Sequence, residues 1–370
     1  MKKKIANLFT VCFLMLMTVM FAAFPSSTAD AVRTAAGNCL NIIIPSLFAM
    51  TVLSDMLIKS GLYARCGRLS VLTSKYIFRI PPHMMNVFLV SSVCGYPIGA
   101  SLISAAEKDG SIGREEAEKL LCMCFGAGPA FIYGAVAKGV FGSAAAGHLI
   151  FISAVLSNIL IGLFFAAGKK IPDCTKTDTP VKFSPQLFCE CIAEGGKKIL
   201  KMCGIIIFVS AILAIPETLG ITAALSSALG KVFSCDPYYV SVFLRSAADV
   251  TNIACMKTDS TDFLPFAAAL ISFGGISVFM QIKSLCGNRL KTGRLIIARI
   301  YAAISSYFIC DILYNILHKK IAVSAMKQLT EIRHNSPIPS LFLLIMTILL
   351  LSQKTIVKSK KICYNKNKKV

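Results

Sequence analysis

The sequence predicts an all-α, polytopic membrane fold built from two inverted repeats with re-entrant or broken helices, and three observations lead there. Apolar stretches long enough to cross ~30 Å of hydrocarbon recur along the whole chain. Several carry Gly, Pro or charge at mid-depth, which lipid-facing helices avoid and broken helices lining a cavity tolerate. Short matching segments recur in the same order in both halves, with opposed loop charge.

Composition supports the first point. The chain is 55% hydrophobic and 15% charged, with a mean hydropathy of +0.70, more apolar surface than a water-soluble fold can hide. Its net charge of +21 is spread in clusters between apolar spans and at both ends, as membrane topology is written. No basic region is long enough to form a nucleic-acid reader. Of the 15 cysteines, Cys12, Cys94, Cys203 and Cys310 sit inside apolar spans as small hydrophobic residues. Cys122 and Cys124, like Cys189 and Cys191, are two apart on helical segments, so their side chains diverge, and no metal site is expected.

The elements follow in order. Basic residues up to Lys4 precede an apolar run, Ile5–Phe24, and an Ala29-Asp30-Ala31 stretch that imitates a cleavage site. The run is longer than a usual signal core, which favours a retained transmembrane or signal-anchor helix over 1–25. Further spans are read at Leu40–Leu57, Val87–Ala106, Leu120–Val140, Ala144–Ala167, Ile199–Ile215, Tyr238–Met256, Phe263–Met280 and Leu295–Leu317, with a short last one at Ile338–Leu351.

Within Cys124–Phe131 of the first half and Ser272–Phe279 of the second, Phe125-Gly126 and Phe131 keep register with Phe273-Gly274 and Phe279. Upstream, Val87-Phe88-Leu89 and Ser91 match Val242-Phe243-Leu244 and Ser246, and amphipathic lead-ins precede each half around Ala31–Leu40 and Ser184–Leu200. The first loop of the first half carries Lys59, Arg65, Arg68, Lys75 and Arg79, and its later loop little beyond Lys138. The second half reverses this, with Lys231 in its first loop and Lys283, Arg289, Lys291 and Arg294 in its later one. Corresponding loops therefore fall on opposite sides, and the two middle segments of each half must make an odd number of crossings, so that one is a re-entrant hairpin. The expected division is 1–25, a first repeat over 31–168, a basic cytoplasmic linker and lead-in over 169–198, a second repeat over 199–317, and a helix with a basic tail over 318–370.

Candidate site residues come from the interruptions. Gly95-Tyr96-Pro97-Ile98-Gly99 and Gly126-Ala127-Gly128-Pro129 each break a span, and the N-terminus of a downstream half-helix offers partial positive charge to an anion. The competing explanation is a kink where Gly lets helices pack closely. Arg245 and Asp249 are four apart in the span Tyr238–Met256, so they share a helix face and can pair, with Thr251 and Asn252 near the same depth. Charge inside a span costs ~2.5 to 3.5 kcal/mol and normally faces a bundle interior or an aqueous path. Arg245 is read as a counter-ion for an anionic solute and Asp249 as a coupling or gating carboxylate, against a plain structural ion pair. Ser272, Gly274, Gly275, Ser277 and Gln281 add a second lining segment, while Asn86, Asn158 and Asp311 read equally well as interhelical hydrogen-bond partners. His83, His148, His318 and His334 have neither metal-ligand spacing nor a neighbouring nucleophile, and no phosphate-binding loop is present. No catalytic residue, metal or cofactor is expected.

Three segments in order, Gly95 to Ala100, Glu116 to Leu121 leading into Gly128-Pro129-Ala130-Phe131-Ile132-Tyr133-Gly134, and Ser272 to Val278 with Gln281, resemble the sporulation integral membrane protein YlbJ family, whose members carry paired nucleoside-recognition (Gate) domains. The resemblance runs from about Ala31 to Leu317. It implies hairpins from inverted repeats meeting at a mid-membrane solute site, a transport-like role in endospore formation, and dipicolinic acid as cargo. The chain departs from the family at Gly126-Ala127-Gly128-Pro129, where Asn-Pro-Ser-Pro is usual, and at Asp249-Val250-Thr251, where a Glu-Ile-Thr-like segment is usual. The expectation is a permease in a cell or forespore membrane, with the bilayer, a small anionic solute and a coupling cation or proton as partners. The alternative is a non-transporting scaffold of spore assembly.

Overall fold

The computed structural model describes residues 2–62, 67–166, 183–258 and 260–317, and the last expected span and basic tail lie outside them. Among the described residues the chain is helical throughout, with no strand. Five helical stretches among the described residues are long and apolar enough to cross a membrane: Pro25–Lys59, Ala144–Ala166, Pro185–Thr218, Thr261–Cys286 and Gly293–Leu317. This is a polytopic α-helical membrane protein.

Helix α1 (Lys2–Ala23) leads into α2 (Pro25–Asn38), which passes through a π-helical turn at Cys39–Ile43 into α3 (Ile44–Lys59). The short α4 (Arg68–Leu72) precedes α5 (Pro82–Cys94), α6 (Tyr96–Lys108), α7 (Arg114–Met123), a π-type helix at Phe131–Lys138, and α8 (Ala144–Ala166). Then follow α9 (Pro185–Thr218), α10 (Ile221–Phe233), α11 (Pro237–Ala248), a 3-10 segment at Val250–Cys255, α12 (Leu264–Phe273), α13 (Ile276–Cys286) and α14 (Gly293–Leu317). The lead-in expected before Ile199 is no separate element. It joins the span as one 34-residue helix, α9, capped by the Ser184 hydroxyl accepting from Leu187 N–H.

Helix α14 shows how lipid as solvent sorts side chains. Leu295, Ala298, Arg299, Ala302, Ser306, Cys310 and Tyr314 recur every three or four residues and are buried. Ile297, Ile300, Ile304, Phe308 and Ile312 on the other face are exposed. Large apolar groups point outward and small or polar ones inward, which lets helices approach closely where no hydrophobic drive acts between them. On α8, Gly162 leaves room for the Phe78 ring and Gly147 for Tyr133.

Two expected spans are hairpins. The arms α5 and α6 turn at Gly95 and pack so tightly that a Cβ on Gly99 would lie 2.7 Å from that of Ser91. In the second half, α11 runs inward to Asp249 and Val250–Cys255 returns, so that Tyr238 Oη accepts from Lys257 N–H at 2.7 Å. Each hairpin's return arm packs on the second half of the other half's broken helix: α6 on α13, and Val250–Cys255 on Phe131–Lys138. The loops after α6 and α13 meet at one end of the bundle, where Arg289 pairs with Glu107 at 3.1 Å.

Candidate functional site

Four interruptions of helix converge. At the first, Gly95 takes a φ of +96°, which only glycine adopts readily, and Pro97 opens α6. The second leaves Cys124 to Gly128 without helix until Pro129 restarts it. At the third, Asp249 is extended (φ −144°) between α11 and the 3-10 segment. The fourth is Gly274 and Gly275, with φ of +87° and +85°. A Cβ on Gly95 would lie 3.2 Å from Gly128 N, and one on Gly275 would lie 2.9 Å from Ser246 O. At Gly274 the same atom would meet the Phe125 ring at 2.5 Å. Tyr96 closes the circle by donating its hydroxyl to Ile271 O at 2.5 Å and stacking edge-on against Phe125.

Between these breaks lies a small cavity. Gly95, Tyr96, Gly128, Asp249, Thr251 and Gln281 contribute to its wall, with Ile43, Leu47, Phe131, Met202, Ile206 and Val278 making most of it apolar. Asp249 is 1% exposed. Its Oδ1 accepts from Thr251 N–H (3.1 Å) and Ser277 Oγ (3.0 Å), and its Oδ2 from Thr251 Oγ1 (2.8 Å). Because Ser277 lies in the first turn of α13, the carboxylate sits at the positive end of that half-helix. The end expected to receive a solute anion thus faces the protein's own.

The expected pairing of Arg245 with Asp249 does not form. Helix α11 stops at Ala248, so Asp249 leaves the period that would bring the two together, and Arg245, 48% exposed, pairs with Glu217 of α9 at 2.9 Å. Asn252 turns to the carbonyls of Arg245 and Asp249. Gly99 serves packing, its missing Cβ making room for Cys124 O and Ser91. Gly126 lies beside the Asn158 amide, and Ser272 is buried with no partner for its hydroxyl.

Arg299 is the residue that sequence reasoning missed. It is fully buried, donates to Asn158 Oδ1 at 2.9 Å and to Cys122 O, and lies over the Phe125 ring at 4.5 Å. Asn158 in turn donates to Phe125 O. Unwinding at Cys124 strips carbonyls of their helical donors, and the guanidinium and amide replace them.

Beyond Gln281 and Met202, which both cavities share, lies a second cavity. Asp55, Ser101, Lys198, Lys201, Ser284 and Pro97 are among its lining residues. Lys198 Nζ donates to Asp55 Oδ1 at 2.5 Å. Among the described residues no group of three His, Cys, Asp or Glu side chains is placed to hold a metal.

No family model matches the chain, and no solved structure matches it. One curated relative does. Over 160 residues the chain is 31% identical to the sporulation integral membrane protein YlbJ of Bacillus subtilis (strain 168). The match covers 43% of this chain and 39% of YlbJ. Similarity to YlbJ, an integral membrane protein by name, agrees with the five long apolar helices, and the chain is a multi-pass membrane protein.

Proposed function

We propose that the chain is a permease of endospore formation that moves a small anionic solute through the cavity between two inverted Gate-like repeats. Dipicolinic acid is the cargo that the family resemblance implies. The observation that carries this reading is the convergence of the helix breaks at Gly95, Gly128 and Asp249 on one cavity that holds a buried carboxylate and adjoins a lysine-bearing one. The role in sporulation rests on the similarity to YlbJ. Support for inversion comes from the reciprocal packing of α6 on α13 and of Val250–Cys255 on Phe131–Lys138. By the positive-inside rule the end bearing Lys59, Lys283, Arg289 and Arg294 faces the cytoplasm.

Asp249 decides how an anion could pass. A second negative charge in a low-dielectric cavity is repelled by an ionised carboxylate, so the solute enters only with Asp249 neutral. One proton then travels with the anion, and Asp249 is the coupling group. Arg245, turned away to Glu217, has no part in this mechanism.

The test is uptake of radiolabelled pyridine-2,6-dicarboxylate into vesicles carrying the purified chain under an imposed pH gradient. Gradient-driven accumulation is expected for the wild type and for Arg245→Ala, and its loss for Asp249→Asn with insertion unchanged. Equal uptake by wild type and Asp249→Asn removes the coupling role. No uptake by any of them favours the second reading, a non-transporting scaffold, for which the largely apolar cavity wall speaks.

A further inference from the structure

The cavity has an antechamber whose buried carboxylate, Asp55, has no task in the permease reading. Asp55 lies near the end of α3 and is 3% exposed, yet its Oδ2 has no hydrogen-bond partner. A buried carboxylate oxygen left unsatisfied bears its full desolvation cost, so the site is incomplete as it stands. Its only cationic contact within 4 Å among the described residues is a single one to Lys198 Nζ, which also reaches Ser101 Oγ at 3.5 Å. Lys198 remains 29% exposed at its side chain, and Lys201, one turn further along α9, lines the same cavity. Two ammonium groups thus flank this cavity, one of them held by a half-satisfied carboxylate.

An ammonium on a flexible stem exchanges partners readily, unlike a bidentate guanidinium. We propose that the Asp55–Lys198 pair is a displaceable gate over an entry site for a small carboxylate, which takes the Lys198 ammonium from Asp55 and uses Lys201 as its second contact. Ser284 and Gln281 border the passage onward, Gln281 belonging to both cavities. The gate rests on the permease reading and makes α9 the element that senses the solute.

Equilibrium binding of radiolabelled pyridine-2,6-dicarboxylate to the full chain in phosphatidylcholine nanodiscs tests the gate without requiring transport. Removing the competitor in Asp55→Asn is expected to tighten binding at least threefold. Lys198→Gln is expected to weaken it at least tenfold and Lys201→Gln at least threefold. Lys201 is exposed, so Lys201→Gln is expected to insert and fold like the wild type. Wild-type affinity in both lysine variants, or weaker binding in Asp55→Asn, overturns the proposal. So does abolition of binding when phosphatidylglycerol replaces part of the lipid, since the lysines would then serve headgroups. Failure of vesicle uptake with this binding pattern intact sinks the permease and spares the entry site; uptake without the pattern does the reverse.

Discussion

Arg299 and Asp249 are both buried charges, and each is kept by hydrogen bonds rather than by a counter-ion. Their tasks differ: the aspartate faces a cavity, whereas the guanidinium holds an unwound stretch of chain in shape. Hydrogen bonds to a charged group contribute about 1.5–3 kcal/mol each, so Arg299→Ala should lower unfolding stability in detergent by roughly 3 kcal/mol or more. Lys at this position should not restore it, because one ammonium cannot reproduce the planar fork that meets Asn158 and Cys122 while lying on Phe125. Asp249 was legible as a charge inside an apolar run. Its partner was not, since four-residue spacing implies contact only while the helix continues, and here it ends one residue short. Arg299 follows Arg294 closely and reads as one more positive charge at a span margin. Lys198 was hidden in the same way within a basic lead-in.

At the scale of elements, glycines separate packing from permissiveness. Gly195 and Gly196 are neighbours on α9, yet a Cβ on the first would meet Val52 Cγ2 at 2.8 Å and one on the second would meet nothing within 4 Å. Gly195→Ala should therefore cost about 1–3 kcal/mol by overpacking, and Gly196→Ala should gain about 0.5–1 kcal/mol from helix propensity. Thermal unfolding of the two single variants checks both signs. Gly99→Ala should behave like the first, because its Cβ would fall 2.4 Å from Cys124 O and push the first hairpin off the second break. The interruptions themselves could be read from Gly and Pro within apolar runs. Which segments turn back at Gly95 and Asp249 could not, because a hairpin and a span of equal length have the same hydropathy.

For the whole molecule, the charge pattern and the hairpins make a joint statement about topology. Reporter fusions after Gly110 and after Gly287 should fall on one side of the membrane, and fusions after Gly142 and Gly220 on the other. Activity of an exported phosphatase at the second pair and fluorescence of a cytoplasmic reporter at the first is the expected pattern. A mixed result within either pair breaks the inverted arrangement. Neither half shows this alone, since the opposition of loop charge has meaning only when both are compared.

The Phe125 ring occupies the hollow that the missing side chain of Gly274 leaves, and Tyr96 is latched to Ile271 beside it. The two halves are thereby riveted where they would have to slide if the molecule opened like a clam. Any working stroke must then spare this seam and belong to the outer wall, where α3 and α9 supply Leu47, Met202 and Ile206. Such a machine would breathe through its rim while its keel stays still.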